Sequence, residues 1–313
     1  MALIYDMETE PLAREIIEAT LPDSLRNPVM PEEIANPVKP DFAEKCPDYG
    51  FKKASDALAK FPANDTSEKC AKATADYATA TAKRDEWNAA KEKAWIADCE
   101  QSRANWKAKI ESQRNKAFAD AALDAKTGRA KLIVLRDTLN SETVILVFET
   151  DNDKIDLLTA PDAFKGNVEV VICATEAGLL KRFFAELHAR MDAEEALEDS
   201  ASCVGYYIKD FDFPFAYRRA WMNGVPQVPL FRRGRYWSEE IVDLHELFSF
   251  GERQYKVGGL DGLAEALGCK AAKLGDGAGF ADWYQRNPVE GVQYCLNDVA
   301  LTEEAARKMG VVK

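Results

Sequence analysis

The pattern of apolar and polar positions changes period several times along this chain. The first stretch, "LIYDMETE", sets Leu3, Ile4 and Tyr5 ahead of Asp6 and Glu8. In extended backbone residues i and i+2 share a face, so the two carboxylates stand side by side on one side of a strand. Two such acids repel one another unless a positive charge sits between them. At the start of a core strand, that arrangement points to a metal-holding pair rather than a solvated surface.

Beyond this strand Pro22, Pro28, Pro31, Pro37, Pro40 and Pro47 mark an extended linker or wrapping loop. From about Ser67 to Leu123 the chain turns to Ala, Lys, Glu, Asp and Gln. There Trp87, Trp95, Cys99, Trp106, Ile110 and Phe118 recur at near-helical intervals. This stretch is expected to form one or two long amphipathic helices, pictured as an antiparallel hairpin with the tryptophans in its core. An unstructured loop of such length is improbable inside a compact domain, so the insertion is read as a module of its own.

Strand patterning resumes with "KLIVLRD" (131–137) and "TVILVFE" (143–149), joined by a short polar turn as a hairpin, then "VEVVICA" (168–174) and "SCVGYYI" (202–208). "TEAGLLKRFFAELHARMDAEEAL" reads as an amphipathic helix, and "DFPFAYRRAWMN" as a helix with proline near its first turn. The remainder, including "EEIVDLHELF", "LDGLAEALG", "FADWYQ" and "PVEGVQYCLNDVALTEEAARKMG", is mainly helical, with Asp243 as a helix cap. The expected class is therefore α/β, interrupted directly after its first strand.

Composition narrows the function. The chain has 313 residues, 47% of them hydrophobic and 30% charged, which is ordinary for a globular protein with a sizeable core. It carries no apolar run of membrane-spanning length and no visible secretory signal, so no membrane partner and a cytoplasmic location are expected. Seven scattered cysteines without a CxxC pair argue against a disulfide framework or a zinc ribbon. The net charge of −12 speaks against nonspecific coating of nucleic acid, while leaving room for an enzyme with a local basic groove and an acidic metal pocket. His188 and His245 stand near no nucleophile motif, so triad chemistry is poorly supported.

Two later stretches bring further acids. "VGYYIKDFDFPFAYRR" sets Asp212 where a strand runs into a helix, with Asp210 as a weaker competitor. "YCLNDV" puts Tyr294 and Asp298 four apart on one helix face, after the glycine-bearing approach "KLGDGAGFADW". The ordered set Asp6-x-Glu8, Phe211-Asp212 and Tyr294-x-x-x-Asp298 resembles the tyrosine-bearing subgroup of the DEDD superfamily of 3′–5′ exonucleases. It looks most like the phage-type predicted exonucleases related to the proofreading domains of family-B DNA polymerases. The resemblance covers residues 1–12 and about 129–313 and leaves 13–128 as the insertion. One departure stands out: Tyr207 occupies the position, five before Asp212, where the family often has Asn.

The resemblance implies an RNase H-like (DnaQ-like) mixed sheet flanked by helices, with the large helical insertion after the first strand. It implies hydrolysis of phosphodiester bonds from the 3′ end of DNA, single-stranded by preference. Two Mg²⁺ or Mn²⁺ ions about 4 Å apart would activate water and neutralise the leaving oxygen. Asp6, Glu8, Asp212 and Asp298 would be the metal ligands, and Tyr294 would orient or deprotonate the attacking water. Met7, Tyr207, Phe211, Arg218 and Arg219 would contact substrate. Read from the residues alone, Arg218, Arg219, Arg232, Arg233 and Arg235, interleaved with Trp221, Phe231, Tyr236 and Trp237, either grip a single strand through phosphate contacts and base stacking or form a basic helix end and a turn whose aromatics pack inward. The insertion would guide the strand or dock a replication or recombination protein. A ribonuclease of the same superfamily and a catalytically silent nucleic-acid-binding module are the competing readings.

Overall fold

The computed structural model describes residues 2–195, 202–225, 241–252, 257–270, 273–275 and 277–312. In chain order the elements are β1 (Ala2–Pro11), α1 (Arg14–Thr20), α2 (Asp23–Arg26), α3 (Glu32–Ala35), α4 (Phe51–Leu58), α5 (Glu68–Asp120), β2 (Gly128–Asp137), β3 (Glu142–Phe148), α6 (Asn152–Leu158), β4 (Val168–Cys173), α7 (Glu176–Glu195), β5 (Ser202–Gly205), α8 (Asp212–Met222), β6 (Ile241–Asp243), α9 (Leu244–Phe248), α10 (Gly259–Leu267), α11 (Phe280–Arg286) and α12 (Pro288–Lys308). They fall into two units, one of residues 1–21 and 116–313, the other of residues 22–115.

The first unit is α/β, built on one six-stranded mixed sheet ordered β4-β3-β2-β1-β5-β6. β1 runs antiparallel to β2 and parallel to β5, and β2–β3 is the antiparallel hairpin that the polar turn requires. Helices cover both faces, so the central strands are apolar on both sides. Leu3, Tyr5 and Met7 pack with Phe183 and Leu187 of α7 and with Phe213 and Phe215 of α8. Ala2 and Ile4 point the other way, into a second core with Phe280 and Tyr284 of α11 and Val292, Tyr294, Cys295 and Val299 of α12. By the two-residue period of a strand, Asp6 and Glu8 continue the Ala2–Ile4 row and face α12.

Two local features shape the ground around those acids. The β1–β2 register skips a residue between Glu8 and Thr9, leaving Lys131 as the extra residue of a bulge, which bends the strand beside Glu8. β5 stops at Gly205, where a Cβ would lie 2.3 Å from Ile208 Cγ2 and 3.1 Å from the Tyr5 carbonyl oxygen. β1 runs on past Ile4, its last residue paired with β5, and its edge is open there to the loop that leads into α8.

In the second unit the expected hairpin is corrected: α5 is one uninterrupted helix of 53 residues. A hairpin needs a turn of a few residues with a helix-breaking signal, and Glu68–Asp120 contains neither glycine nor proline. Its partner is the proline-bearing segment, which runs antiparallel along it. Arg114 donates to the Arg26 carbonyl (3.3 Å), Arg103 to the carbonyls of Ile34 (3.2 Å) and Ala35 (2.8 Å), and Lys39 pairs with Glu92. Further along, the Phe51 ring meets Tyr77 with centroids 5.1 Å apart. Trp95, Cys99 and Trp106 lie on that same side of α5 and are half-buried there rather than sealed in a hairpin core.

Two smaller expectations also change. "IVD" is the short strand β6 rather than helix, and α6 is a helix that the apolar pattern did not signal.

Candidate metal centre

Asp6 and Glu8 arrive on β1, Asp212 as the first residue of α8, and Tyr294 and Asp298 one turn apart on α12. α12 starts where Asn287 caps it by accepting from the Val289 N–H (3.2 Å) and Pro288 fills its first turn. It packs lengthwise under β1, which brings its acid against the acids of the strand. α8 starts where the loop after β5 folds back, the Phe213 N–H bonding the Ile208 carbonyl at 3.0 Å. The Met7 N–H on the open edge of β1 serves both Asp6 and Asp212.

Glu8, Asp212 and Asp298 are buried and Asp6 is partly accessible, so the cluster reaches solvent beside Asp6. Burial is the largest cause raising the carboxyl of every one of the four, and repulsion from neighbouring acids adds to it for Glu8, Asp212 and Asp298. Glu8 feels Asp6, Asp298 and Asp212; Asp212 feels Asp6; Asp298, also next to Asp6, is raised to about 7. Lys273 supplies positive charge, its Nζ lying 3.6 Å from Asp298 Oδ2. Among the described residues, Asp298 Oδ1 is buried with no hydrogen-bond partner. Burial, then the charges of Glu8 and Asp298, push the Tyr294 phenol far above its ordinary value, so it is a donor, and it hydrogen-bonds Asp298. The Trp283 ring meets Tyr294 edge-on at 5.2 Å, and Gly277 lies close to the phenol oxygen, where a Cβ would be 3.4 Å away.

A second buried acid makes the contrast. Burial alone would raise Glu149, yet the Asp151 and Thr150 N–H groups and the Lys131 ammonium (3.0 Å) hold it at about 2, and Tyr284 Oη also donates to it at 3.0 Å. That carboxylate has all its partners from the chain. Asp298 does not, its Oδ1 being without one among the described residues, and a buried group left wanting a partner is where a ligand belongs.

Compared with protein-family models and with curated proteins, the chain matches none.

The remaining expected contacts divide. Tyr207 is exposed, in the left-handed region at φ 65°, its ring edge-on to His245 at 4.9 Å. The side chain of Asp243 caps α9 as expected, and it also accepts from the N–H groups of Tyr207 and Lys209, both at 3.0 Å, which pins the loop leading to Asp212. Asp210 is exposed on that loop, whereas Asp212 is buried near Asp6. Arg218 is exposed on α8.

The structure places the side chains of three expected substrate contacts against the core. Met7 lends the site its N–H, while its side chain is buried in the opposite core, as the period of the strand demands. Phe211 is half-buried against that core, 5.6 Å from the Phe215 ring. Arg219 is buried and structural: its guanidinium pairs with both oxygens of Glu176 and donates to the Ala125 carbonyl at 2.9 Å, so no donor faces a nucleic acid. Phe231, Arg232, Arg233, Arg235, Tyr236 and Trp237 lie outside the described residues. Sequence reasoning missed Lys273 and Cys295. Both stand inside the quoted "KLGDG" and "YCLNDV" stretches, but no spacing rule singles out one lysine or one cysteine.

Proposed function

We propose that this protein is a metal-dependent 3′–5′ exonuclease acting on single-stranded DNA ends in the cytoplasm. The observation that carries the reading is the convergence of four carboxylates and a phenol from three distant parts of the chain, all but Asp6 buried, with their protonation raised and, among the described residues, one oxygen of Asp298 unpartnered. A mixed sheet with its antiparallel strand beside β1 and helices on both faces supports the RNase H-like reading.

The donor set fits hard divalent cations, because carboxylate oxygens select Mg²⁺ or Mn²⁺ over softer ions. Asp6, Glu8, Asp212 and Asp298 would hold them. When bound, such ions make water nucleophilic at neutral pH and offset the charge that develops on a leaving oxygen. The chain's own part is positional. Tyr294, protonated and tethered to Asp298, offers a hydrogen bond to a phosphate or to the attacking water. The open side at Asp6 is where the 3′-terminal phosphodiester would enter. The water oxygen bonds to phosphorus as the P–O3′ bond breaks, which frees a nucleoside 5′-monophosphate and leaves a 3′-hydroxyl on the shortened strand. The exposed, strained Tyr207 beside His245 is suited to stack on a terminal base. The unit of residues 22–115 is proposed to guide the strand or to dock a replication or recombination protein.

A time course on DNA labelled at the 5′ end, with Mg²⁺, Mn²⁺ or chelator, tests this. Expected is a ladder shortening from the 3′ end, dependent on metal and absent in Asp6→Asn. A matched RNA oligomer degraded faster than DNA would move the reading to a ribonuclease. Intact substrate under every metal condition would leave a silent binding module.

A further inference from the structure

Cys295 does not belong in a site for a hard cation. Its Sγ lies 3.4 Å from Asp6 Oδ2 and 3.9 Å from the Asp6 carbonyl oxygen, and one ligand atom each from Asp6, Glu8 and Cys295 falls within 4.8 Å of the others. Magnesium avoids sulfur, whereas zinc and cadmium prefer it. The spacing suits such an ion: bonds of about 2.3 Å to sulfur and about 2.0–2.2 Å to oxygen separate two tetrahedral ligands by about 3.6 Å.

An independent observation points to the same place. Asp298 is 5% exposed, its Oδ1 has no partner among the described residues, and its charge is felt by Glu8 and by the thiol of Cys295. Cys295 and Asp298 are three apart on α12 and so share the face turned to β1. A fourth oxygen is thus at hand to close the coordination of an ion held by the other three residues.

We propose that Asp6, Glu8 and Cys295, completed by Asp298, form a binding site for a thiophilic divalent cation of the zinc and cadmium class, distinct in preference from the magnesium-type site that shares its acids. Binding exchanges the thiol proton for the metal–sulfur bond and releases that proton to solvent. No oxidant or reductant is needed. Because Asp6 and Glu8 are taken, an ion seated here blocks hydrolysis, and the site becomes a metal-selective brake. The binding stands without the exonuclease reading; the braking rests on it.

Cadmium is the probe, since its bond to a thiolate gives an ultraviolet charge-transfer band that binding to oxygens alone does not. Titration of the full chain with Cd²⁺ is expected to raise a saturable band that Cys295→Ser loses, with the six other cysteines accounting for whatever signal remains. Serine keeps a donor to Asp6, and circular dichroism checks that the variant folds. Asp6→Asn leaves the thiol in place and should weaken cadmium binding by roughly tenfold or more. A band of equal size in wild type and Cys295→Ser, or no saturable band in wild type, overturns the proposal. A band lost in Cys295→Ser yet unchanged in Asp6→Asn would mean a lone thiol rather than a built site, and overturns it too. In parallel, Zn²⁺ added to a Mn²⁺-supported digestion should inhibit wild type at roughly tenfold lower concentration than Cys295→Ser, each against its own zinc-free rate. Cadmium binding without any nuclease activity would sink the exonuclease reading and leave the metal site standing.

Discussion

Lys273 Nζ stands 3.6 Å from Asp298 Oδ2, and its charge also favours ionisation of Asp6 and Glu8. Among the described residues, one ammonium set among Asp6, Glu8, Asp212 and Asp298 leaves the cluster short of positive charge, and the first two predictions below follow from that shortfall.

Metal-free stability should fall as pH rises from about 4 to about 7. Asp298 in the folded protein keeps its proton to about 7, against an ordinary value of 3.8, and Asp6, Glu8 and Asp212 shift in the same direction. Through that window the native state binds more protons than the unfolded chain, so unfolding is favoured as pH rises. Glu149, held at about 2, and Glu303, also held low, act in a separate window, and their contribution is lost only on acidification below it. Melting curves in chelator from pH 5 to pH 8 should therefore decline. Added Mn²⁺ should raise the melting temperature more at pH 8 than at pH 5. A flat or rising profile in chelator would contradict the electrostatics given for this cluster.

Asp6→Asn should abolish hydrolysis while raising the melting temperature in metal-free buffer at pH 8. Asp6 raises Glu8, Asp212 and Asp298 by repulsion, so its neutral analogue relieves all three at once. The gain should vanish in Mn²⁺, where the wild type recovers what the variant cannot. Turnover at the wild-type rate would show that the site is misplaced.

Tyr294→Phe should lower kcat without unfolding the protein, since the ring packing against Trp283 remains. The phenol is a hydrogen-bond donor rather than a base here, so the loss should fall at or below the roughly 10²–10⁴-fold range of general acid–base groups. It should also leave the pH–rate profile without a displaced basic limb. A displaced limb would identify Tyr294 as the proton acceptor.

Arg219→Ala should behave as a folding variant. Removing one partner of a buried ion pair costs about 3–5 kcal/mol, because Glu176 is left charged and unmatched. Denaturant melts should show that loss. Arg218→Ala, on the exposed neighbour, should leave stability within about 0.5 kcal/mol and instead weaken single-strand binding with a reduced salt dependence. Equal stability for both variants would refute the structural role of Arg219.

Much of this was legible from the residues in order. The two-residue period of Leu3–Glu8 fixed that Asp6 and Glu8 share a face, and the four-residue spacing of Tyr294 and Asp298 did the same on a helix, because side-chain direction is local geometry. The strands at 131–137 and 143–149 and their hairpin likewise follow from alternation and a polar turn. What the local pattern misread shares one cause. "IVD" is too short to show a period, and the half-buried stripe of Trp95, Cys99 and Trp106 looks the same whether another helix or an extended proline-bearing segment covers it. Likewise Arg219 beside Arg218 reads as one basic patch, and only the packing of α8 on α7 sends one guanidinium inward to Glu176. Chain order alone thus settles which way each side chain points from its own backbone. Which distant groups meet there, such as Lys273 and Cys295 among the acids, was decided by tertiary packing, because charge and desolvation act through space and not along the chain.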